Sequence, residues 1–296
     1  MKIYDCFTFF DEKMLLNFRL NYLDKFVDKF VIVEAAYTHS GNKKKINFNI
    51  NDYPKFKHKI IFISVYQKPK NLLKIYKKDS NSERGNKLIL NGYIRENFHR
   101  NCIGKALKSI DLEDIIIISD IDEIPNLENI NIKNINNKII FFKQYFLFYK
   151  FNLLYKEKSW YGSRACRKKH FISPQWLRNV KSRKYSIFRP DIFFSNKKYN
   201  DVYFINKGGW HFTNIKTPKE IYYKFSNYLH HQEFEDSNLK LKDIKRMISK
   251  KIALYNHEVD QRKNKFDGKI YLSKIPKKRL PEYLIKNFSL YKKWLA

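Results

Sequence analysis

Glycine and proline are scarce, eight of each in 296 residues, which excludes collagen-like repeats and argues against low-complexity or disordered chain. No internal repeat of fixed period occurs. Cysteine is scarcer still. Cys6, Cys102 and Cys166 form an odd set without a Cys-x-x-Cys pair, so neither a disulfide framework nor a zinc site is expected, and a reducing cytoplasm fits best. No stretch of about 18 uncharged apolar residues is present, so no transmembrane helix is expected. Residues Met1 to Cys6 enter a strand-like run at once and lack the apolar stretch and cleavage site of a signal peptide. Acidic residues are few, 29 Asp and Glu against 60 Lys and Arg, which leaves a formal net charge of +31.

Apolar residues are plentiful: 43% of the chain is hydrophobic and 17% aromatic, enough to bury a sizeable core as one domain over residues 1–296. The positive charge attracts polyanions, anionic lipid surfaces or phosphorylated substrates. The abundance of Lys, Asn and Ile is also what an AT-rich coding sequence produces whatever the function.

The first half alternates strand and helix. Ile3 to Phe10 reads as a buried strand, and Asp11 as the N-cap of an amphipathic helix to about Asp24. Phe30 to Val33 is a strand ending at Glu34, and Ile60 to Val65 a third. Gln67 to Asn86 reads as a surface loop, followed by a helix over Lys87 to Ser109. Asp114 to Ser119 is a continuous apolar run bounded by charges, as in a central strand buried on both faces. This alternation predicts an α/β fold with a mostly parallel central sheet flanked by helices. Further on, Ile139 to Phe151, Val202 to Ile205 and Gly209 to Thr213 look like strands. Thr217-Pro218-Lys219-Glu220 opens a helix to about His230. Later helices are expected over Leu239 to Tyr255 and Tyr283 to Trp294.

Ligands of parallel sheets bind beyond the carboxyl ends of the strands, which directs attention to Asp120-Ile121-Asp122-Glu123-Ile124-Pro125. Alternate residues of an extended segment point the same way, so Asp120 and Asp122 can present two carboxylates to one point. Hard oxygen ligands suit Mg²⁺ or Mn²⁺, which would bridge a nucleotide diphosphate and stabilise the departing phosphate. The bland alternative is that these acids cap the next segment and stay solvated.

The chain resembles glycosyltransferase family 17, that of the bisecting β-1,4-N-acetylglucosaminyltransferase. The resemblance rests on ordered matches: Asp5 to Phe10 with Glu12 and Arg19; Val31 to Ala35 with Thr38, Ser40 and Gly41; Glu96 with Arg100-Asn101; Ser119 to Pro125; Gly209-Trp210-His211-Phe212; Thr217 to Ile221; and Leu280 to Leu284 with Lys286-Asn287. It implies a GT-A-like nucleotide-diphosphosugar transferase fold, with a nucleotide-sugar half over 1–125 and an acceptor-side half with C-terminal helices over 126–296. It also implies a UDP-sugar donor, UDP-GlcNAc first, an inverting transfer and a glycan or glycolipid acceptor. Residues 67–84 and 155–189 match poorly, and acceptor choice is expected there.

Asp120 and Asp122 are assigned to metal and diphosphate. His211 is a third candidate metal ligand, the alternative being a core histidine packed by Trp210. Arg100 and Asn101 are expected at the donor, although Arg100 can instead pair with Glu96 one turn earlier. Thr8 joins this donor-binding set, and Glu34 is placed at a uridine or ribose hydroxyl or else is an ordinary strand-end acid. Glu123 is the first candidate for the base that deprotonates the acceptor, with Glu220 and Asp236 as rivals. Its alternative role is to anchor the loop through backbone hydrogen bonds. Trp160, Trp176 and Trp210 offer either sugar-stacking faces or core packing. The clusters Lys43 to Lys45, Arg167 to Lys169 and Lys277 to Arg279 are solvated faces or a peripheral contact with anionic membrane. A nucleic-acid or polyanion binder and an inactive transferase-like module are the competing readings. No zinc finger or RNP-type aromatic motif supports specific nucleic-acid binding.

Overall fold

The computed structural model describes residues 1–227, 234, 235, 237–257, 266 and 270–296. The chain opens with β1 (Ile3–Thr8), α1 (Lys13–Leu23), β2 (Lys29–Ala35), β3 (Ile60–Val65), α2 (Asn81–Asn101) and β4 (Ile115–Asp120). It crosses to a second sheet as β5 (Glu123–Pro125), returns as β6 (Ile139–Phe142), and crosses again as β7 (Tyr145–Phe148) and β8 (Leu153–Leu154). It comes back as β9 (Arg164–Arg167) and continues through α3 (Pro174–Asn179). Then β10 (Val202–Ile205) joins the first sheet and β11 (Gly209–Thr213) the second. There follow α4 (Pro218–Asn227), α5 (Leu241–Ser249), β12 (Ser273–Lys274) and α6 (Glu282–Lys286).

The first sheet runs β10-β6-β9-β4-β1-β2-β3, with β9 antiparallel to both its neighbours and all other pairs parallel. The second runs β12-β8-β7-β11-β5. Strands from residues 139–205 thus complete the sheet begun by the first 125 residues. The fold is a mixed α/β structure with two sheets.

The uninterrupted apolar run of β4 follows from burial on both faces. Ile115 and Ile117 pack with Phe7 and Ile32 on one side. Ile116 and Ile118 pack with Cys6, Val31 and Val33 on the other. The first of these layers also takes in Leu147, Trp210 and Phe212 of the second sheet, so one apolar core joins the two.

Several boundaries differ from the sequence expectation, each for a local reason. β1 stops at Thr8 rather than Phe10. Asp11 does not cap α1, which starts at Lys13 without a side-chain cap; the Asp11 carboxylate pairs instead with Lys216. α2 begins at Asn81, not Lys87, because Ser80 and Glu83 form a capping box: Glu83 N–H donates to Ser80 Oγ (3.2 Å) and Ser80 N–H to Glu83 Oε2 (2.9 Å). After Asn101 the chain tightens into a 3₁₀ segment over Cys102–Leu107. The helix expected to Tyr255 is limited to Leu241–Ser249, and the terminal helix is the short α6 followed by a separate 3₁₀ turn at Lys292–Trp294. The strands Val202–Ile205 and Gly209–Thr213 form as expected, as does the Thr217–Glu220 helix start. The end expected for that helix near His230 lies outside the described residues. Among the described residues no helix is long and apolar enough to cross a membrane, and the three cysteines are buried free thiols.

Candidate active site

A cavity of about 220 Å³ opens where β1, β2 and β4 end, the carboxyl edge at which such sheets receive ligands. Thr8 and Phe9 come to it from β1 and the turn beyond, Thr38 and His39 from the loop after β2, and Asp120 and Asp122 from the end of β4. α2 contributes Glu96, His99 and Arg100; β11 contributes His211 and Thr213; α4 contributes Lys224.

The Asp120–Asp122 segment sits where the chain passes from one sheet to the other. β5 pairs antiparallel with β11, setting Trp210 opposite Ile124 and His211 opposite Glu123, and Phe212 N–H donates to the Asp122 carbonyl (2.7 Å). This register carries His211 to the motif. Gly209 makes the approach possible: its φ is +130°, and a Cβ there would lie 2.1 Å from the Ile124 carbonyl oxygen. His211 Nε2 lies 3.5 Å from Asp122 Oδ1 and 2.8 Å from Thr213 Oγ1. Its ring stacks against Trp160 (4.5 Å between centroids) and Phe146 (4.9 Å), rather than against Trp210.

Two arginines fix the motif from behind. Arg19 of α1, fully buried, makes a two-pronged pair with Asp5 (2.6 and 2.7 Å), and its Nη1 donates to the carbonyls of Asp120, Ile121 and Glu123 (3.1, 3.2 and 2.7 Å). Arg178, at the end of α3, bonds Asp120 Oδ2 (2.9 Å) and Glu123 Oε2 (2.6 Å). Glu123 is itself fully buried. Its oxygens accept from Asp120 N–H (2.8 Å), Trp160 Nε1–H (2.7 Å) and Arg178. Gly162 leaves the space that this carboxylate fills, since a Cβ there would meet Glu123 Oε1 at 2.1 Å.

The charges in the cavity are closely matched. Arg100 bonds Asp120 Oδ1 (3.0 Å) as well as Glu96 (2.7 Å), so the one-turn pair and the site contact coexist. Burial pushes the Asp120 carboxyl up, but Arg178 and Arg100 outweigh it and hold the group well below the usual carboxylate range. Asp122 follows the same pattern: burial raises it, while His211 and Lys224 bring it below its ordinary value. Glu12, also lining the cavity, is raised by burial and lowered further by Lys216 and Lys224. Its Oε2 accepts from the N–H groups of Phe10 (3.3 Å) and Asp11 (3.1 Å), and its Oε1 lies 3.8 Å from Lys216 Nζ. Lys224 has no hydrogen-bond or ion-pair partner among the described residues. The buried Nε2 of His99 is likewise without a hydrogen-bond partner among them.

Of the residues singled out in the sequence, Thr8, Arg100, Asp120, Asp122 and His211 meet at this cavity; Glu34, Asn101 and Glu123 do not line it. Glu34 is spent on the following loop, pairing with Lys44 and accepting from the N–H groups of Asn47 (2.8 Å) and Phe48 (2.9 Å). Asn101 is exposed and accepts from Gln175 N–H (3.0 Å) at the start of α3. Glu123 lies behind the cavity lining, with its oxygens taken up by Asp120 N–H, Trp160 Nε1–H and Arg178, so its contacts are those of a loop anchor. Glu220 is exposed and caps α4, and Asp236 lies outside the described residues. Trp160 faces the cavity, whereas Trp176 and Trp210 are packed in the core. The basic clusters are not uniformly solvated either, since Lys44 turns to Glu34, and buried Arg167 binds Glu113 and the Lys133 carbonyl.

Arg178, Lys224, Glu12, His39 and His99 are site residues that the sequence reading did not pick out. Arg178 had no local signal. Glu12 and Arg19 stood within the matched opening segment but without a role.

The geometry can be tested for a divalent cation. Cis ligands of a metal at about 2.1 Å are separated by about 3 Å, close to the separation of Asp122 Oδ1 and His211 Nε2, 3.5 Å. Asp120 is occupied by two guanidinium groups, and among the described residues no group of three or more His, Cys, Asp and Glu is arranged to hold a metal. The donor set therefore fits an ion held by two protein ligands that takes the rest of its shell from water and substrate phosphate, as Mg²⁺ commonly does.

No curated protein matches the sequence. The sequence model of glycosyltransferase family 17 matches residues 1–296. The chain thus belongs to glycosyltransferase family 17.

Proposed function

We propose that this glycosyltransferase is a metal-dependent, inverting enzyme of GT-A-like fold that moves a sugar, N-acetylglucosamine first among the candidates, from a UDP donor to a glycan hydroxyl. The observation that carries the reading is the meeting of Asp122, His211, Asp120, Arg100 and Lys224 in one cavity at the carboxyl edge of the first sheet. Acids that can share a cation, set among free and exchangeable positive groups, suit a diphosphate.

In this reading Tyr37, Thr38, His39 and His99 face the nucleoside, with His99 Nε2 available for a hydrogen bond that no described residue makes. Thr8 stands between the nucleoside end and the motif. Asp122 and His211 hold Mn²⁺ or Mg²⁺, and Asp120 supports them through its arginines. When bound, the cation offsets charge on the diphosphate as it departs. Arg100 and Lys224 flank the same group as charged donors. Trp160, stacked on His211, offers a face to the sugar.

Glu12 is the proposed base. It lines the cavity and stays ionised, and among the described residues its Oε1 accepts no hydrogen bond, with Lys216 Nζ 3.8 Å away. Deprotonating an acceptor hydroxyl needs an ionised group within hydrogen-bond reach. The test is calorimetric titration of UDP into the protein with Mn²⁺ or with EDTA. Binding that needs Mn²⁺ and is lost in Asp122→Ala supports the reading, and metal-independent binding unaffected by that substitution counts against it.

A further inference from the structure

The segment after α3 carries a surface that does not line the cavity. Between Lys181 and Asn200 the chain makes an excursion whose base is tied. Lys181 N–H donates to the Lys197 carbonyl (2.8 Å), Tyr185 N–H to the Tyr199 carbonyl (3.1 Å), and Asn200 Nδ2 to the Tyr185 carbonyl (2.7 Å). Trp176 of α3 adds a bond from Nε1 to the Asn196 carbonyl (2.5 Å). Tyr185 is buried at this base.

The tip is apolar and points outward. Ile187 is 56% exposed, Phe188 88%, Phe193 77% and Phe194 91%. Turn hydrogen bonds from Arg189 N–H to the Ser186 carbonyl (3.2 Å) and Phe193 N–H to the Pro190 carbonyl (3.1 Å) give the tip a defined shape. Four large side chains without a polar atom, exposed within eight residues, form a patch that a protein surface does not carry without a partner.

The charge around the tip identifies the kind of partner. Lys181, Arg183, Lys184, Arg189, Lys197 and Lys198 supply six cations against one acid, Asp191. That acid is already held by Arg189 (2.9 Å) and Lys198 (2.6 Å). A second copy of the chain would bring the same cations face to face, which opposes self-association. Phe and Ile with a basic collar match a bilayer interface, where the apolar groups enter the acyl boundary and Lys and Arg meet anionic headgroups.

We propose that the 181–200 loop docks the protein on an anionic lipid bilayer, with Phe188, Phe193 and Phe194 inserted. The loop begins three residues after Arg178, the partner of Asp120, so the end of α3 joins the docking loop to the site. The proposal is independent of the donor and of the metal.

The test is co-sedimentation of the full chain with phosphatidylcholine vesicles, with and without phosphatidylglycerol. The wild type is compared with the triple variant Phe188→Ser, Phe193→Ser, Phe194→Ser. The expected result is binding that requires phosphatidylglycerol and falls at least about tenfold in the triple variant. Among the described residues these exposed side chains belong to no buried cluster, so thermal melting should be unchanged and a folding failure would be visible. Four results would overturn the proposal: no binding to anionic vesicles, binding indifferent to phosphatidylglycerol, equal binding by the variant, or a tip-dependent dimer or RNA complex in place of vesicle binding.

Discussion

Arg19 and Asp5 form a fully buried, two-pronged ion pair beneath the Asp120–Asp122 segment, at 2.6 and 2.7 Å. The remaining guanidinium nitrogen, Nη1, reaches three carbonyls of the chain that leaves β4. The pair therefore ties α1 and β1 to the turn that presents Asp120 and Asp122.

Removing the Arg19 side chain leaves the buried Asp5 carboxylate without its ion-pair partner and takes one donor from three carbonyls, of which that of Glu123 keeps Ser163 Oγ–H (3.1 Å). Arg19→Met is expected to cost about 3–5 kcal/mol of stability, measured by urea unfolding, because the Asp5 carboxylate stays buried and unpaired. A loss below about 1 kcal/mol would mean that the turn is held by other contacts.

Gly162→Ala tests the seat of Glu123. The added methyl would overlap a carboxylate that also holds Asp120 N–H, Trp160 and Arg178. A displacement of about 1 Å at this point is expected to lower sugar transfer of order 100-fold, with UDP binding reduced less. Unchanged turnover would show that Glu123 need not keep its position.

Lys224→Met removes a cavity cation that has no hydrogen-bond or ion-pair partner among the described residues. A charge-assisted hydrogen bond to phosphate is worth about 1.5–3 kcal/mol, so UDP affinity is expected to fall roughly 10- to 100-fold. Lys224→Arg should recover part of the loss. Fold stability should hold or rise slightly, since no native pair is broken.

His99 gives stability a pH dependence of known sign. Burial first, then His39 and Arg100, push its pKa down from 6.5 to about 3. Below about 6.5 the unfolded chain takes a proton at this position that the folded chain refuses until about 3. The contribution is thus complete above about 6.5 and is lost as pH falls towards 3. Urea midpoints measured between pH 7 and pH 5 should drop more steeply for the wild type than for His99→Gln. Parallel curves would contradict the assignment.

The cavity lining was legible in the sequence where local pattern and tertiary placement coincide. Asp120 and Asp122 line it because an apolar run bounded by charges marks a central strand, and its carboxyl end marks a ligand edge. His211 reaches it from the Gly-Gly-Trp-His strand. The start of α2 was equally legible, in the Ser80–Glu83 capping pattern, but the polarity of the first turn masked it. The burial of Glu123 was not legible, because its partners Trp160 and Arg178 are 37 and 55 positions away, and no local pattern reports that they take up its oxygens. Arg178 was missed for the same reason. Residues 155–189, where acceptor choice is expected, have no such pattern: they hold one short strand, β9, a 3₁₀ turn at Lys168–His170 and α3, without a common periodicity.

The most direct test of the account is UDP release from a panel of UDP-sugars in Mn²⁺, Mg²⁺ or EDTA, by the wild type and by Asp122→Ala. Release from one sugar that requires a divalent cation and disappears in the variant is the predicted result, and it names the donor. Release that persists in EDTA and in Asp122→Ala would contradict the metal-dependent mechanism.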